Sequence, residues 1–567
     1  MLKRWLIADP ITSQAEINLQ AYEPVVRQLL FNRGMGTADG AASFLEGQPG
    51  FDTDPLQMTG VATAVERIAR ALDRHEPIAV YGDYDVDGVT ATALLIQVLE
   101  SLSAIVKPYI PNRFDEGYGL NMEALDLLKA EGTKLVITVD CGIRSPEEAQ
   151  HARDIGLDLI ITDHHHPADG ALPPALAIVN PKQPGDPYPE KNLAGVGIAR
   201  KLAEALAGRV AGSRAPDSQL DLVALGTVAD LAPLLGENRH LVRRGLAEIR
   251  HTQRQGLYSL AQVAALKIQR TTASNIGFVL GPRLNAAGRL KSAKAALELL
   301  LTNDPLRAGA LAQELEASNQ ERQAVTRETQ TVAETLAMAG EEDPVLLFAA
   351  HEDFNPGVVG LAASRLVEAH YRPAVVAAKG PEETRASCRS IPEFHITDAL
   401  DQCADLLVRH GGHAAAAGFT VKNANLPALV ARLKGLAAER LGPLDLRPTL
   451  RADQEIPLSS LSFDLLRQLE LLEPTGYGNP EAVFVSRDVK IRSSRTVGQE
   501  GRHLKLLLQD ERGVTTDAIG FRLGEMQKEL PPRVDLAYTL EANEYNGRTT
   551  LQLNLKDIRP TGATPLP

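Results

Sequence analysis

The chain has 567 residues and a formal net charge of −13, with 44 % apolar and 23 % charged residues. That length supports three or four domains with real cores, and that charge argues against a protein coated in basic surface while leaving room for a local nucleic-acid groove. Cys141, Cys388 and Cys403 are far apart and in no metal-type spacing, which excludes a disulfide framework or zinc finger.

The start, Met-Leu-Lys-Arg-Trp, lacks an apolar core of signal-peptide length. No stretch reaches the ~18 apolar residues of a membrane span, so a cytoplasmic protein is expected. Residues 1–75 read as mostly helical, with turn signals at Asn32 to Gly36, and are expected to pack on the first domain. From 76 to 240, β-branched apolar runs at 77–81, 105–110, 135–139, 158–162 and 176–180 alternate with helical patterns. That is the mark of a parallel sheet with helices on both faces. The pattern from 245 to 300 is helical. Leu306 to Met338 has no Pro and only Gly309 as a glycine; as one helix it would span on the order of 50 Å, a strut between domains. A second α/β unit covers about 342–441, with strands near 344–350 and 373–378 and helices at 357–370 and 426–440. After Gly442-Pro443, short alternating strands with a hairpin turn at Asn546-Gly547 predict one small β-barrel.

The chemistry is densest in Val80 to Gly88, Val-Tyr-Gly-Asp-Tyr-Asp-Val-Asp-Gly. Asp83, Asp85 and Asp87 alternate on a strand-to-helix turn with no base between them, a conflict that a divalent cation would remove. A calcium loop of the EF-hand type would need Glu at its twelfth position, where Leu94 stands, and a helix in front, where a strand is read. Three further sites fall at comparable ends: Asp140 after Leu135–Val139, Asp163-His164-His165-His166 after Asp158–Thr162, and Asp230 after Leu222–Ala229. Singly, such an Asp is usually a cap or a turn residue. Parallel strands align their carboxyl ends, so Asp85, Asp87, Asp140 and His164 would converge on one edge. Carboxylates with imidazole and no thiolate suit Mn²⁺ or Mg²⁺, and two such ions sharing a bridging acid promote in-line attack of water on phosphorus.

Asp163-His164-His165 resembles the triplet that names the DHH phosphoesterases, and the wider sequence resembles their RecJ family of bacterial single-stranded-DNA exonucleases. The resemblance runs in order through the first motif, Tyr109 to Gly119, Leu193 to Gly197, Leu222 to Asp230, Gly281 to Arg289, Asn319 to Arg322, Arg409 to His413 and Glu473 to Pro480. It implies a multidomain α/β protein. A helical extension (1–75) would precede a parallel-sheet DHH catalytic domain (76–300) and a long connecting helix (301–341). An α/β DHHA1 domain (342–445), a C-terminal β-barrel OB-fold (446–560) and a tail (561–567) would follow.

By residue, the resemblance makes Asp85, Asp87, Asp140 as bridge, His164 and Asp230 ligands of two Mn²⁺ or Mg²⁺ ions, with Asp83 in or near the shell. Asp140, Asp163 and His165 form the catalytic set: Asp163 would orient His164, and His165 would contact the scissile phosphate. Tyr81 stands where some relatives carry His, which would leave one ion with fewer protein ligands; His166 reads as a neighbour. Ser387 and Arg389, with Arg113 and Arg283, would hold a terminal 5′-phosphate, and Gly411, Gly412 and His413 would bring backbone and an imidazole to the substrate. The alternatives are a surface ion pair for Arg283 or Arg289 and a buried structural imidazole for His413.

Weaker signals remain. Gly195-Val-Gly197 reads as a helix start. Arg239, Arg243, Arg244, Arg250 and Arg254 could line a DNA path or form a solvated helix face. Arg502 and Lys505 are candidate phosphate contacts in the barrel, with Phe484, Phe521, Tyr538 and Tyr545 available for base stacking.

The implied activity is 5′→3′ exonuclease action on single-stranded DNA, releasing 5′-mononucleotides by two-metal-ion hydrolysis in recombination and in DNA and mismatch repair. The strut would leave a cleft too narrow for duplex. The implied partners are single-stranded-DNA-binding protein and a RecQ-type helicase, with the enzyme a monomer that does not bind membranes. The competing readings are a DHH phosphodiesterase of short oligonucleotides or cyclic dinucleotides, and a non-catalytic DNA-binding scaffold.

Overall fold

The computed structural model describes residues 3–46, 53–112, 116, 119–168, 170–210, 219–290, 292–340, 343–545 and 547–562. The chain forms two compact units. The larger comprises Lys3–Pro282, Ala296–Gly309 and Thr449–Pro567; the smaller contains Arg283–Ala295 and Ala310–Pro448.

The larger unit opens with strand β1 (Arg4–Ile7) and then builds a five-stranded parallel sheet from β2 (Ile78–Gly82), β3 (Val106–Tyr109), β4 (Leu135–Val139), β5 (Asp158–Thr162) and β6 (Ala177–Val179). The strand order is β3-β2-β4-β5-β6. Both β2 and β4 are buried along their whole length, as strands covered on both faces must be, and this is why they read as unbroken apolar runs. Helices Val86–Ser101, Gly195–Arg209 and Leu220–Ala229 are likewise almost entirely buried. Gly82 lies opposite Val139, Val139 opposite Thr162, and Thr162 opposite Val179. The residues that follow, Asp83, Asp140, Asp163 and Asn180, therefore leave the sheet in one row.

The smaller unit carries a second sheet of β7 (Leu347–His351), β8 (Ala374–Lys379), β9 (Glu383–Arg389), β10 (Leu407–His413) and β11 (Ala416–Lys422), in the order β10-β11-β9-β8-β7. Only β7 and β8 run parallel. The sequence announced those two alone. Strands β9 and β10 carry Arg, Ser, His and Gly in place of apolar alternation, because their exposed positions face outward. Helix Pro305–Met338 is one continuous element of 34 residues.

The C-terminal part of the larger unit contains β12 (Thr449–Ala452), parallel to β1, and then β13 (Gln454–Glu455), β14 (Phe484–Val497), β15 (His503–Gln509), β16 (Thr515–Gly520), β17 (Arg533–Tyr545) and β18 (Arg548–Pro560). The path β14-β15-β16-β18-β17, closed by β14 pairing with β17, is a five-stranded barrel without a free edge.

One expectation is corrected. Leu19, Leu29, Leu30, Phe44 and Leu45 share a core with Leu458, Phe484 and Leu506, so the first helices cover the barrel. Contact with the first domain is kept as well: the Phe44 and Leu45 carbonyls accept from Arg239 and Arg243, and helix Val61–Asp73 packs against β6 and helix Gly195–Arg209. An amphipathic helix records that it has an apolar face, and not which partner that face meets. Among the described residues, no helix is long and apolar enough to cross a membrane.

Candidate active site

Each acid of the first motif has a separate structural reason for its position. Asp85 caps helix Val86–Ser101, its Oδ1 accepting from the N–H groups of Asp87 (2.9 Å) and Gly88 (3.1 Å). Asp87 is buried and accepts from the N–H groups of Gly195 (2.6 Å) and Val196 (2.8 Å), at the start of helix Gly195–Arg209, where the positive end of the helix favours a carboxylate. Gly195 is thus a helix start, as read, and also a cradle: a Cβ there would lie 3.0 Å from Asp87 Oδ2 and 2.8 Å from Asp140 Cβ. A Cβ on Gly226 would come 2.8 Å from Asp87 Oδ1. Gly88 lets the turn close on Asp83, since its Cβ would meet the Asp83 backbone at 2.6 Å.

Asp140 is buried with φ of +64°, a left-handed conformation that Asp tolerates better than most residues, and one that commonly marks a functional turn. Its Oδ1 is 3.1 Å from His164 Nε2 and 3.9 Å from His165 Nδ1. His164 Nε2 also lies 3.9 Å from Asp87 Oδ2, and its Nδ1 lies 3.7 Å from Asp230 Oδ2. Three groups result, Asp83-Asp85-Asp140, Asp87-His164-Asp230 and Asp140-His164-His165, each with ligand atoms within 4.8 Å of one another. The converging acids and imidazole expected from sequence do converge.

Their electrostatics fit a divalent cation. Burial, then repulsion from Asp85, pushes Asp87 up to about 7. Burial, then Asp87 and Asp85, pushes Asp230 up to about 9, and Asp140 is raised well above the usual carboxylate range by burial and the same neighbours. Burial, then His165, lowers His164 to about 3, so it is a neutral imidazole. Its Nε2 is buried and makes no hydrogen bond. Cys141, the adjoining thiol, is kept protonated by burial. Crowded carboxylates with a neutral imidazole and no thiolate form a hard, oxygen-rich donor set.

The expectation that Asp163 orients His164 is corrected. Asp163 Oδ1 pairs with His165, at 2.8 Å from Nδ1 and 3.0 Å from the backbone N–H, while its Oδ2 accepts from the Ile143 N–H at 2.9 Å. The tight turn brings the ring two residues on, and not the adjacent ring, back onto the carboxylate. Burial raises Asp163, but the His165 bond and charge outweigh it and hold the group low. Burial lowers His165, and Asp163 reverses that to a net rise.

Tyr81 belongs to the core. Its ring is stacked at 5.0 Å on Tyr109, and its hydroxyl donates to the Gly119 carbonyl at 3.0 Å. His166 is exposed. Sequence reasoning missed Asn180, a wholly buried side chain whose Nδ2 donates to the His165 carbonyl at 2.9 Å. Its position just past β6 was the available signal.

In the smaller unit, Ser387 and Arg389 lie on β9, facing the start of helix Val359–His370, which has no side-chain cap. A Cβ on Gly360, in its first turn, would lie 3.2 Å from Arg389 Nη2 and 3.4 Å from Ser387 Oγ. A guanidinium, a hydroxyl and a helix N-terminus form an anion cradle. Arg283 is paired with Glu316 at 2.5 Å, and Arg113 lies outside the described residues. Gly411, Gly412 and His413 are exposed on edge strand β10, which excludes a buried structural role for the imidazole. Gly412, with φ of +151°, is required by the hairpin, since its Cβ would meet the Ala416 carbonyl at 2.4 Å; Gly411 faces open space.

Other assignments change. Arg239 is buried and donates to the carbonyls of Phe44, Leu471, Leu472 and Pro474. Arg243 donates to Leu45, Arg250 to Thr271, and Arg254 pairs with Asp221. These four basic side chains tie elements together and do not form a solvated face. Phe484 and Tyr538 are barrel core, whereas Phe521 is exposed beside His503; the Tyr545 side chain lies outside the described residues. Lys505 is only 19 % exposed, with its ammonium 3.7 Å from Asp517. Arg502 pairs with Glu500.

Three family models match: the DHH family N-terminal domain over 77–227, the DHHA1 domain over 342–439 and the RecJ OB domain over 452–557. The chain is 39 % identical to the single-stranded-DNA-specific exonuclease RecJ of Bacillus subtilis strain 168, over 98 % of this chain and 70 % of that protein. It is 36 % identical to the protein of that name from Escherichia coli K12, over 95 % and 96 %. The crystal structure of RecJ in complex with Mn²⁺ from Thermus thermophilus superposes with a TM-score of 0.84 at 33 % identity, covering 99 % of this chain and 80 % of that one.

Proposed function

The chain belongs to the RecJ family of DHH phosphoesterases, and on that footing we propose that it is a single-stranded-DNA-specific exonuclease that runs 5′→3′, releases 5′-mononucleotides and uses Mn²⁺ or Mg²⁺. The observation that carries the reading is the single row of Asp83, Asp140 and Asp163 at the sheet edge, joined by Asp87, His164 and Asp230.

Asp83, Asp85, Asp87, Asp140, His164 and Asp230 would hold two ions, Asp140 being common to two of the ligand groups. Bound there, the ions neutralise the acids and lend Lewis acidity to a phosphodiester attacked by water. His165 Nδ1 is held by Asp163, so Nε2 would be the nitrogen that gives a proton to the phosphate or to the departing 3′-oxygen. Ser387, Arg389 and the start of helix Val359–His370 would take the terminal 5′-phosphate, and recognition of one strand end supplies polarity. Arg283, Gly411, Gly412, His413 and Lys505 are secondary contacts in this reading. It extends to a cytoplasmic monomer acting with single-stranded-DNA-binding protein and a RecQ-type helicase in recombination and repair; the relatives' name supports the single-stranded-DNA substrate.

The test is hydrolysis of single-stranded DNA labelled at the 5′ or the 3′ end, with Mn²⁺ and with EDTA, beside Asp140→Asn. Immediate release of mononucleotide from the 5′ label, abolished by EDTA and by the substitution, is expected. Hydrolysis confined to dinucleotides would instead assign a short-substrate phosphodiesterase, and DNA binding without any hydrolysis a scaffold.

A further inference from the structure

We propose that Lys182 is a further substrate contact, its ammonium taking a phosphate oxygen of the DNA strand that lies against the acidic row; this rests on the nuclease reading above. Strand β6 ends at Val179, and the next residue, Asn180, uses one buried side chain twice. Its Nδ2 donates to the His165 carbonyl at 2.9 Å, and its Oδ1 accepts from the Lys182 backbone N–H at 2.8 Å. The turn bearing His165 and the turn bearing Lys182 are therefore fixed to each other through one amide. Gln183 secures the other side, donating to the carbonyls of Ile178 (3.2 Å) and Thr59 (3.3 Å).

The side chain that this turn presents is half-buried, and Asp230 and Asp163 are the carboxylates that act on its charge. Lys182 in turn acts on His164 and Asp230. Among the described residues, no carboxylate comes within ion-pair distance of it, although His164 makes three such approaches at the same edge. A lysine that only balanced the acids would be drawn into contact with one of them. This one stands off from them on a turn fixed through its backbone to the turn of His165, which the polyanionic strand must reach. A compact ammonium on a flexible stem suits a phosphate as a point charge, without demanding bidentate geometry.

The experiment compares wild type, Lys182→Gln and Lys182→Arg. Binding of a fluorescein-labelled, 5′-phosphorylated oligothymidylate in EDTA is followed by anisotropy across a salt series, and kcat and KM are measured with Mn²⁺. For Lys182→Gln, affinity should fall and KM rise roughly tenfold, and the slope of log K against log salt should lose about 0.7, the value for one phosphate contact on a single strand. Lys182→Arg should retain both. Wild-type affinity and slope in Lys182→Gln would overturn the proposal. So would unchanged affinity with a raised Mn²⁺ half-saturation, which would assign the lysine to the charge balance of Asp230. Wild type that fails to cleave single strands at all would remove the nuclease reading itself, an outcome separate from both.

Discussion

Asp163 and His165 form a closed pair: one carboxylate oxygen holds the imidazole at 2.8 Å and the backbone N–H of the same residue at 3.0 Å. With Nδ1 engaged by Asp163, Nε2 is the nitrogen that would serve the substrate in the proposed reaction. Asp163→Asn keeps the shape and loses the charge. We expect kcat to drop by about two orders of magnitude, the lower range for a positioned proton donor, with KM little changed. Asp163 is also what raises His165; without it the imidazole loses its proton at lower pH, so the alkaline limb of the kcat profile should move to lower pH. A limb that stays in place would sink this role.

The crowded acids make the metal-free protein sensitive to pH. Asp87 and Asp230 titrate near 7 and 9 in the fold, against about 4 in an unfolded chain. Between those limits the folded state binds more protons than the unfolded one, so metal-free stability falls as pH rises from about 4 through the folded values. A divalent cation removes the repulsion. The rise in Tm on adding Mn²⁺ should therefore be larger at pH 8 than at pH 6, measured by scanning calorimetry. An increment independent of pH would contradict the mutual repulsion of these acids.

Asp230→Asn removes one of the raised carboxylates and a donor from the Asp87-His164-Asp230 group. The variant should be more stable than wild type in EDTA at pH 8 and gain less from Mn²⁺. Destabilisation in EDTA would show that Asp230 serves the fold.

In the candidate anion cradle, Arg389 and Ser387 face the first turn of helix Val359–His370. Arg389→Met should raise KM for 5′-phosphorylated single strands roughly 10- to 100-fold, the loss of one charged hydrogen-bonding group, and should affect 5′-hydroxyl strands much less. Equal losses on both substrates would remove the terminal-phosphate assignment.

Gly226 has no chemistry of its own, yet a Cβ there would lie 2.4 Å from Thr90 Oγ1 and 2.8 Å from Asp87 Oδ1. Gly226→Ala should cost about 1–3 kcal/mol of stability by overpacking and weaken Mn²⁺ binding by displacing Asp87. Calorimetric titration with Mn²⁺ reads the second effect directly, and wild-type affinity would show that Asp87 can shift without consequence.

Much of this protein was determined by sequence alone. The strands β2, β4 and β5 are apolar runs that could only be buried on both faces, and the acids follow them directly. Parallel pairing then carries Asp83, Asp140 and Asp163 to one edge, because strands in one direction share their ends. The long helix and the barrel were legible for the same local reason, periodicity. What tertiary structure alone decided depends on which surfaces meet. The partner of Asp163 follows from the angle of a turn. The burial of Arg239 under four carbonyls follows from where the first helices and the barrel pack. Lys182 and the uncapped start of helix Val359–His370 have no periodic signature, since a lone lysine or a glycine gains its role from distant neighbours. Local interactions write the elements into the chain; long-range packing and the dielectric it creates decide which of their side chains are charged, paired and within reach of a substrate.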